Sequence, residues 1–139
     1  MRVRNVRRMA AIALIGATGM AGAVPAKAPP IAVFSIIEPG QWELHEVGSA
    51  APARQMCVTN PDIFVQLRHG GPQCARYVTE NTAQTVTINY DCDAAGSGRT
   101  TITLDTPRQI RLQTQGIAQA APFDVEYSAH RVGACVGGH

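Results

Sequence analysis

Large aromatic side chains are scarce in this chain. Its 139 residues include one tryptophan, three tyrosines and three phenylalanines. A small domain with so few rings has limited apolar area to bury, so covalent bracing gains importance. Long apolar runs are missing as well. The most apolar stretch, Met9 to Met20, is shorter than the about 20 residues that a spanning helix needs. Motifs that carry chemistry are also missing: there is no G-x-S-x-G, H-E-x-x-H, P-loop or G-x-G-x-x-G. The serines Ser35, Ser49, Ser97 and Ser128 have no nucleophile context. These absences point away from an enzyme. No catalytic residue and no cofactor-binding residue is assigned.

A basic surface is missing too, once the first residues are set apart. Residues 1–8 carry four arginines and no acid, Met9 to Met20 is uncharged, and small residues follow in "AGAVPAKAPP". This is the n-region, h-region and small-residue pattern of a secretory signal peptide. Its favoured end is after Ala23, in the triplet Ala21-Gly22-Ala23. The triplet Ala26-Lys27-Ala28 is the other choice, but Pro29 follows it. The whole chain has 12 basic and 10 acidic residues. Without residues 1–23, which hold Arg2, Arg4, Arg7 and Arg8, 8 basic and 10 acidic residues remain, a net charge of −2. Nothing left resembles a nucleic-acid-binding patch. The expected partition is a signal peptide over 1–23, a flexible lead-in over 24–38, one domain over 39–136 and a tail over 137–139. The expected location is the periplasm, with no stable membrane span after cleavage.

What the chain does have is four cysteines, Cys57, Cys74, Cys92 and Cys135, and repeated short alternating segments. No C-x-x-C occurs, and the cysteine spacings of 17, 18 and 43 match no zinc motif. In an exported chain an even cysteine count reads as two disulfides. Trp42 and Leu44 alternate with Gln41, Glu43 and His45, the period of a half-buried strand. Arg54 to Val58 returns as a second arm. In the register that groups apolar with apolar, Trp42 faces Val58, Leu44 faces Met56 and Glu46 faces Arg54. One short helix is expected after Thr59-Asn60-Pro61-Asp62, with Ile63, Phe64 and Leu67 on one face and Gly70-Gly71-Pro72 as its stop. Cys74 to Glu80 and Thr85 to Cys92 form the arms of a hairpin about Ala83, which sets Val78 opposite Ile88 and Cys74 opposite Cys92. Arg99 to Asp105, Ile110 to Gln113 and Phe123 to Ser128 follow, with Gln115 to Pro122 read as a loop.

The fold class expected is mainly β (α+β): an antiparallel meander of about six or seven short strands, one short helix and two disulfides. The hairpin favours Cys74–Cys92 with Cys57–Cys135. Pairing Cys57–Cys74 with Cys92–Cys135 stays open on sequence alone.

Five features taken in order carry a resemblance. They are the leader, "PGQWE" over Pro39 to Glu43, "MCVTNPD" over Met56 to Asp62, the pair Cys74 and Cys92, and "RVGAC" over Arg131 to Cys135. Together they resemble the small exported bacterial proteins catalogued as domain of unknown function 3617. The resemblance spans essentially the whole domain. It implies a Gram-negative periplasmic location and no activity, so no functional residue carries over.

Candidate site residues are few. Trp42 has a reading as a ligand-stacking platform and a competing one as a core residue beside Leu44 and Val58. His45 and His130 fall on polar strand faces, His69 near the end of the expected helix, and His139 at the terminus. They form no ligand motif, so no metal is assigned. Asp91-Cys92-Asp93 is a weak likeness of a calcium loop lacking its later ligands. The functional expectation is a non-catalytic binding domain, holding an envelope protein or a small apolar ligand against one sheet face. The alternatives are an inhibitor of an envelope hydrolase such as lysozyme, using Gly48 to Ala53 or Ala94 to Arg99, and an enzyme with dispersed catalytic residues.

Overall fold

The computed structural model describes residues 19, 21–25 and 27–137. The leader therefore lies largely outside the described residues, and so does His139. Among the described residues seven strands form one sheet: β1 (Gly40–Glu46), β2 (Arg54–Val58), β3 (Ala75–Asn81), β4 (Thr85–Asp91), β5 (Gly96–Thr106), β6 (Gln109–Ala118) and β7 (Ala121–Gly133). Their spatial order is β2-β1-β7-β6-β5-β4-β3, and every neighbouring pair is antiparallel. Strands β3 to β7 are a meander. The first hairpin is then laid against its last strand.

Alternation decides which face is buried. Trp42, Leu44, Met56, Val58, Val86, Ile88, Ile102, Ile110, Leu112 and Tyr127 point inward. The residues between them form a polar outer face, as expected for an antiparallel sheet with one solvated side. The inner face is covered by two connecting segments. Residues 61–73 span the sheet from edge to edge: Arg76 on β3 pairs with Asp62 at 2.6 Å, and Arg54 on β2 donates to the Leu67 carbonyl at 3.4 Å. From the middle of the sheet, the Thr100 hydroxyl donates to the Val65 carbonyl at 2.6 Å.

The expected helix does not form. Pro61–Phe64 is a single 3-10 turn. Asn60 caps it by accepting from the Asp62 amide at 3.0 Å, as the start signal implied. An α-helix would then need the Val65 carbonyl for the His69 amide. The His69 amide goes instead to the Gln66 carbonyl at 2.9 Å, while the Val65 carbonyl accepts from the Thr100 hydroxyl. A segment of this length is too short to hold an α-helix alone.

Three further expectations are corrected. Residues 24–38 are not flexible throughout: Val33–Ser35 form a 3-10 turn, and Val33 and Ile37 lie in the core. The Asn81 side chain holds this segment at Ala32 and Pro30, and Arg108 holds it at Glu38. The register of the first hairpin differs by two residues, with Trp42 opposite Met56 and Leu44 opposite Arg54. A two-residue slip leaves every side chain on its expected face, so periodicity could not distinguish the two. Gln115 to Pro122 is no loop. Strands β6 and β7 run on to Ala118 and from Ala121, joined by Gln119 and Ala120 at φ of 51° and 62°. Two consecutive positive φ values are the geometry of a tight type I′ hairpin, and neither residue announces it.

The β3–β4 register matches expectation from Ala75 to Val78, with Val78 opposite Ile88. An irregularity between Val78 and Glu80 then shifts it by one residue, so that Glu80 faces Thr87 and Asn81 faces Val86. The disulfides are Cys74–Cys92 and Cys57–Cys135, with Cα separations of 4.8 and 5.3 Å.

Candidate functional site

The outer face carries two groupings of polar and titratable side chains. The first is a row that crosses five strands in register. Tyr77 on β3 stands opposite Asn89, Asn89 opposite Arg99, Arg99 opposite Gln115, and Gln115 opposite Asp124 on β7. Residues directly opposite in neighbouring strands share a face. The first four of these residues, with Asp91 and Ser97 beside them, line a groove of about 670 Å³. Tyr77 is 71% exposed, so its ring is presented to solvent. The groove therefore offers one flat apolar surface, two amides, a guanidinium and a carboxylate.

The inner side of this region is tightly built. Gly98 and Gly116 stand opposite each other. A Cβ on Gly98 would run into the phenol ring of Tyr90, so glycine makes room for that ring. The Tyr90 hydroxyl meets His69 Nδ1 at 3.1 Å, and His69 Nε2 meets the Ile117 carbonyl at 2.9 Å. Burial pushes the Tyr90 pKa up, against smaller downward effects from Thr114, Thr100 and Arg68. His69 is thus a buried structural link.

The second grouping lies where β1 meets β7. His130 stands directly opposite Glu43, and His45 is two residues further along the same face of β1. Glu43 Oε2 is 3.4 Å from His130 Nε2 and 3.7 Å from His45 Nε2. The two imidazoles lie parallel, with centroids 5.7 Å apart and planes 3° apart. Gln55 on β2 donates to Glu43 Oε1 at 2.7 Å and fixes the carboxylate. All three residues each offer a ligand atom, and these atoms lie within 4.8 Å of one another.

Other expected features fall elsewhere. Trp42 is fully buried, stacks edge-on with Phe64 at 5.5 Å and donates its indole N–H to the Glu38 carbonyl at 3.0 Å. It is not available as a platform. Asp91 accepts from the Asp93 amide at 2.9 Å, which makes Asp91 to Asp93 a side-chain-capped turn. Gly48 to Ala53 is an exposed connection, whereas Ala94 to Arg99 is already strand β5 from Gly96 onward.

The groove residues escaped sequence reasoning because each is an ordinary polar strand residue. Only the alignment of four strands brings them together. Glu43 and His45 share a face by alternation, but nothing in the chain's order announces that β7 lies beside β1.

Fold and surface together define a disulfide-braced antiparallel β domain with one filled face and one polar, grooved face. No helix among the described residues is long and apolar enough to cross a membrane. The chain belongs to the family described as "Protein of unknown function (DUF3617)", whose profile matches residues 37–135. No curated protein and no solved structure matches it.

Proposed function

We propose that this chain is a non-catalytic binding domain of the bacterial envelope, and that it holds a hydroxyl-rich polar ligand, such as a glycan chain, across the outer face of its sheet. The observation that carries the reading is the row Tyr77, Asn89, Arg99 and Gln115 along the groove. A phenol ring offers a face for the C–H side of a sugar ring. Planar amide and guanidinium groups suit paired hydroxyls and acidic substituents. Export is supported by the leader pattern of residues 1–23 and by two disulfides, which form and persist in oxidising compartments. The lack of catalytic motifs supports the non-catalytic part.

An apolar ligand is favoured less than a polar one. The apolar face is already covered by Val33, Ile37, Phe64 and Val65, while the groove on the open face presents the amides of Asn89 and Gln115 and the Arg99 guanidinium beside the Tyr77 ring.

The test is calorimetric titration with soluble glycan fragments from the bacterial envelope. Tyr77→Ala and Arg99→Ala should each weaken binding by about tenfold or more, as loss of a stacking or charge-assisted contact implies. Both side chains are exposed, so their loss should leave the melting temperature nearly unchanged. Equal affinity for both variants and the parent would remove the reading.

A further inference from the structure

We propose that Glu43, His45 and His130 form a binding site for a divalent transition-metal ion of the zinc class. The site is separate from the groove and does not depend on it.

The backbone places the three ligands. Glu43 and His130 are directly opposed in the β1–β7 pair, and His45 follows two residues later on the same side. Sites built on paired strands are held more firmly than sites on loops. Both imidazole Nε2 atoms lie near one carboxylate oxygen, at 3.4 and 3.7 Å. A charge-assisted hydrogen bond would be shorter, about 2.7–2.9 Å. Two ligand atoms bound at about 2.1 Å to one tetrahedral metal stand about 3.4 Å apart. These two separations are nearer to the edges of a coordination polyhedron than to direct hydrogen bonds, and all three ligand atoms lie within 4.8 Å of one another, a spread that the half-exposed imidazoles close on binding. A single cation among the three atoms satisfies the carboxylate and both imidazole lone pairs at once.

The donor set selects the metal class. Two imidazoles and one carboxylate suit zinc, copper or nickel, whereas magnesium and calcium call for oxygen ligands. Outer support is also present. Gln55 Nε2 donates to Glu43 Oε1 at 2.7 Å, and Gln41 donates to Gln55 Oε1 at 3.4 Å. The carboxylate is thus held from its far oxygen, which leaves Oε2 toward the histidines. Such partners orient metal ligands in known sites. Both imidazoles are near half exposed, at 53% and 44% of the side chain. A metal can therefore reach them, and a further coordination position faces solvent.

The test is calorimetric titration of the untagged chain with Zn²⁺, and separately with Mg²⁺ as a hard-cation control. One Zn²⁺ should bind per chain, and Mg²⁺ should not. His130→Ala and Glu43→Gln should each weaken Zn²⁺ binding by at least tenfold, and Gln55→Ala by about tenfold through loss of outer support. Circular dichroism and melting of each variant without metal verify folding. As an independent readout, substoichiometric Cu²⁺ should broaden the NMR signals of Glu43, His45 and His130 in the parent chain first. Absence of Zn²⁺ binding, unchanged affinity in the folded variants, or Cu²⁺ broadening centred elsewhere would each overturn the site.

Discussion

Tyr90 and His69 show how polar residues are used inside this fold. Tyr90 packs under Gly98 and is bound to His69, which in turn reaches the backbone of Ile117. Each buried polar atom in this chain of contacts has a partner, which avoids the penalty of leaving one unpaired. Burial raises the Tyr90 pKa. The folded protein therefore holds this proton more tightly than the unfolded chain does. The stability linked to it is fully present below the unfolded value of about 10 and is lost as pH rises through the raised folded value. Alkaline titration followed by phenolate absorbance should show one phenol that ionises at higher pH in the native protein than in denaturant. That phenol should vanish in Tyr90→Phe. A native curve that overlays the denatured one would contradict the assignment.

At the scale of elements, the joint between β6 and β7 is strained by its own sequence. Gln119 and Ala120 both adopt positive φ, a conformation that costs an ordinary residue about 1–2 kcal/mol. Asparagine and glycine accept it readily. Replacing the pair with Asn-Gly, as Gln119→Asn with Ala120→Gly, should stabilise the domain by about 1 kcal/mol. Chemical denaturation measures this directly, and a loss of stability would argue against the tight turn. The same joint marks where sequence reading stopped. Strand existence and face were legible from alternation, because Trp42, Leu44, Val86, Ile88, Ile102 and Leu112 all bury as their period demands. Turns and registers were less so. The two-residue slip of β1 against β2 changes no side chain's face. In place of the expected helix stands a 3-10 turn, and the next residue, Val65, is bonded by Thr100, 35 residues away in sequence. The open end of the β3–β4 hairpin was legible because its cysteines and matched apolar residues fixed the register up to Val78, whereas the one-residue shift beyond it was not. Neither candidate site was legible as a unit, since each needs strand neighbours that no local pattern encodes.

For the whole molecule, the disulfides and the filled inner face bear on the same marginal balance between burial and chain entropy. Cys57–Cys135 spans 78 residues of sequence and ties β2 to the end of the chain, while Cys74–Cys92 spans 18 and closes one hairpin. Chain-entropy estimates give about 4.5 kcal/mol for the long loop and about 3 kcal/mol for the short one. Removing the long bridge as Cys57→Ala with Cys135→Ala should therefore lower stability more than Cys74→Ala with Cys92→Ala. Paired thermal melts test the order, and the reverse order would show that native-state strain, not loop closure, dominates. The braced domain, poor in aromatics, leaves one face of its sheet open, and the proposed function places ligand binding there. The most direct test of that central claim is an amide NMR map of the protein titrated with soluble envelope glycan fragments. The predicted result is a contiguous band of shifts across Tyr77, Asn89, Arg99 and Gln115. No shift at saturating glycan, or shifts gathered instead on the exposed Gly48 to Ala53 connection, would contradict it.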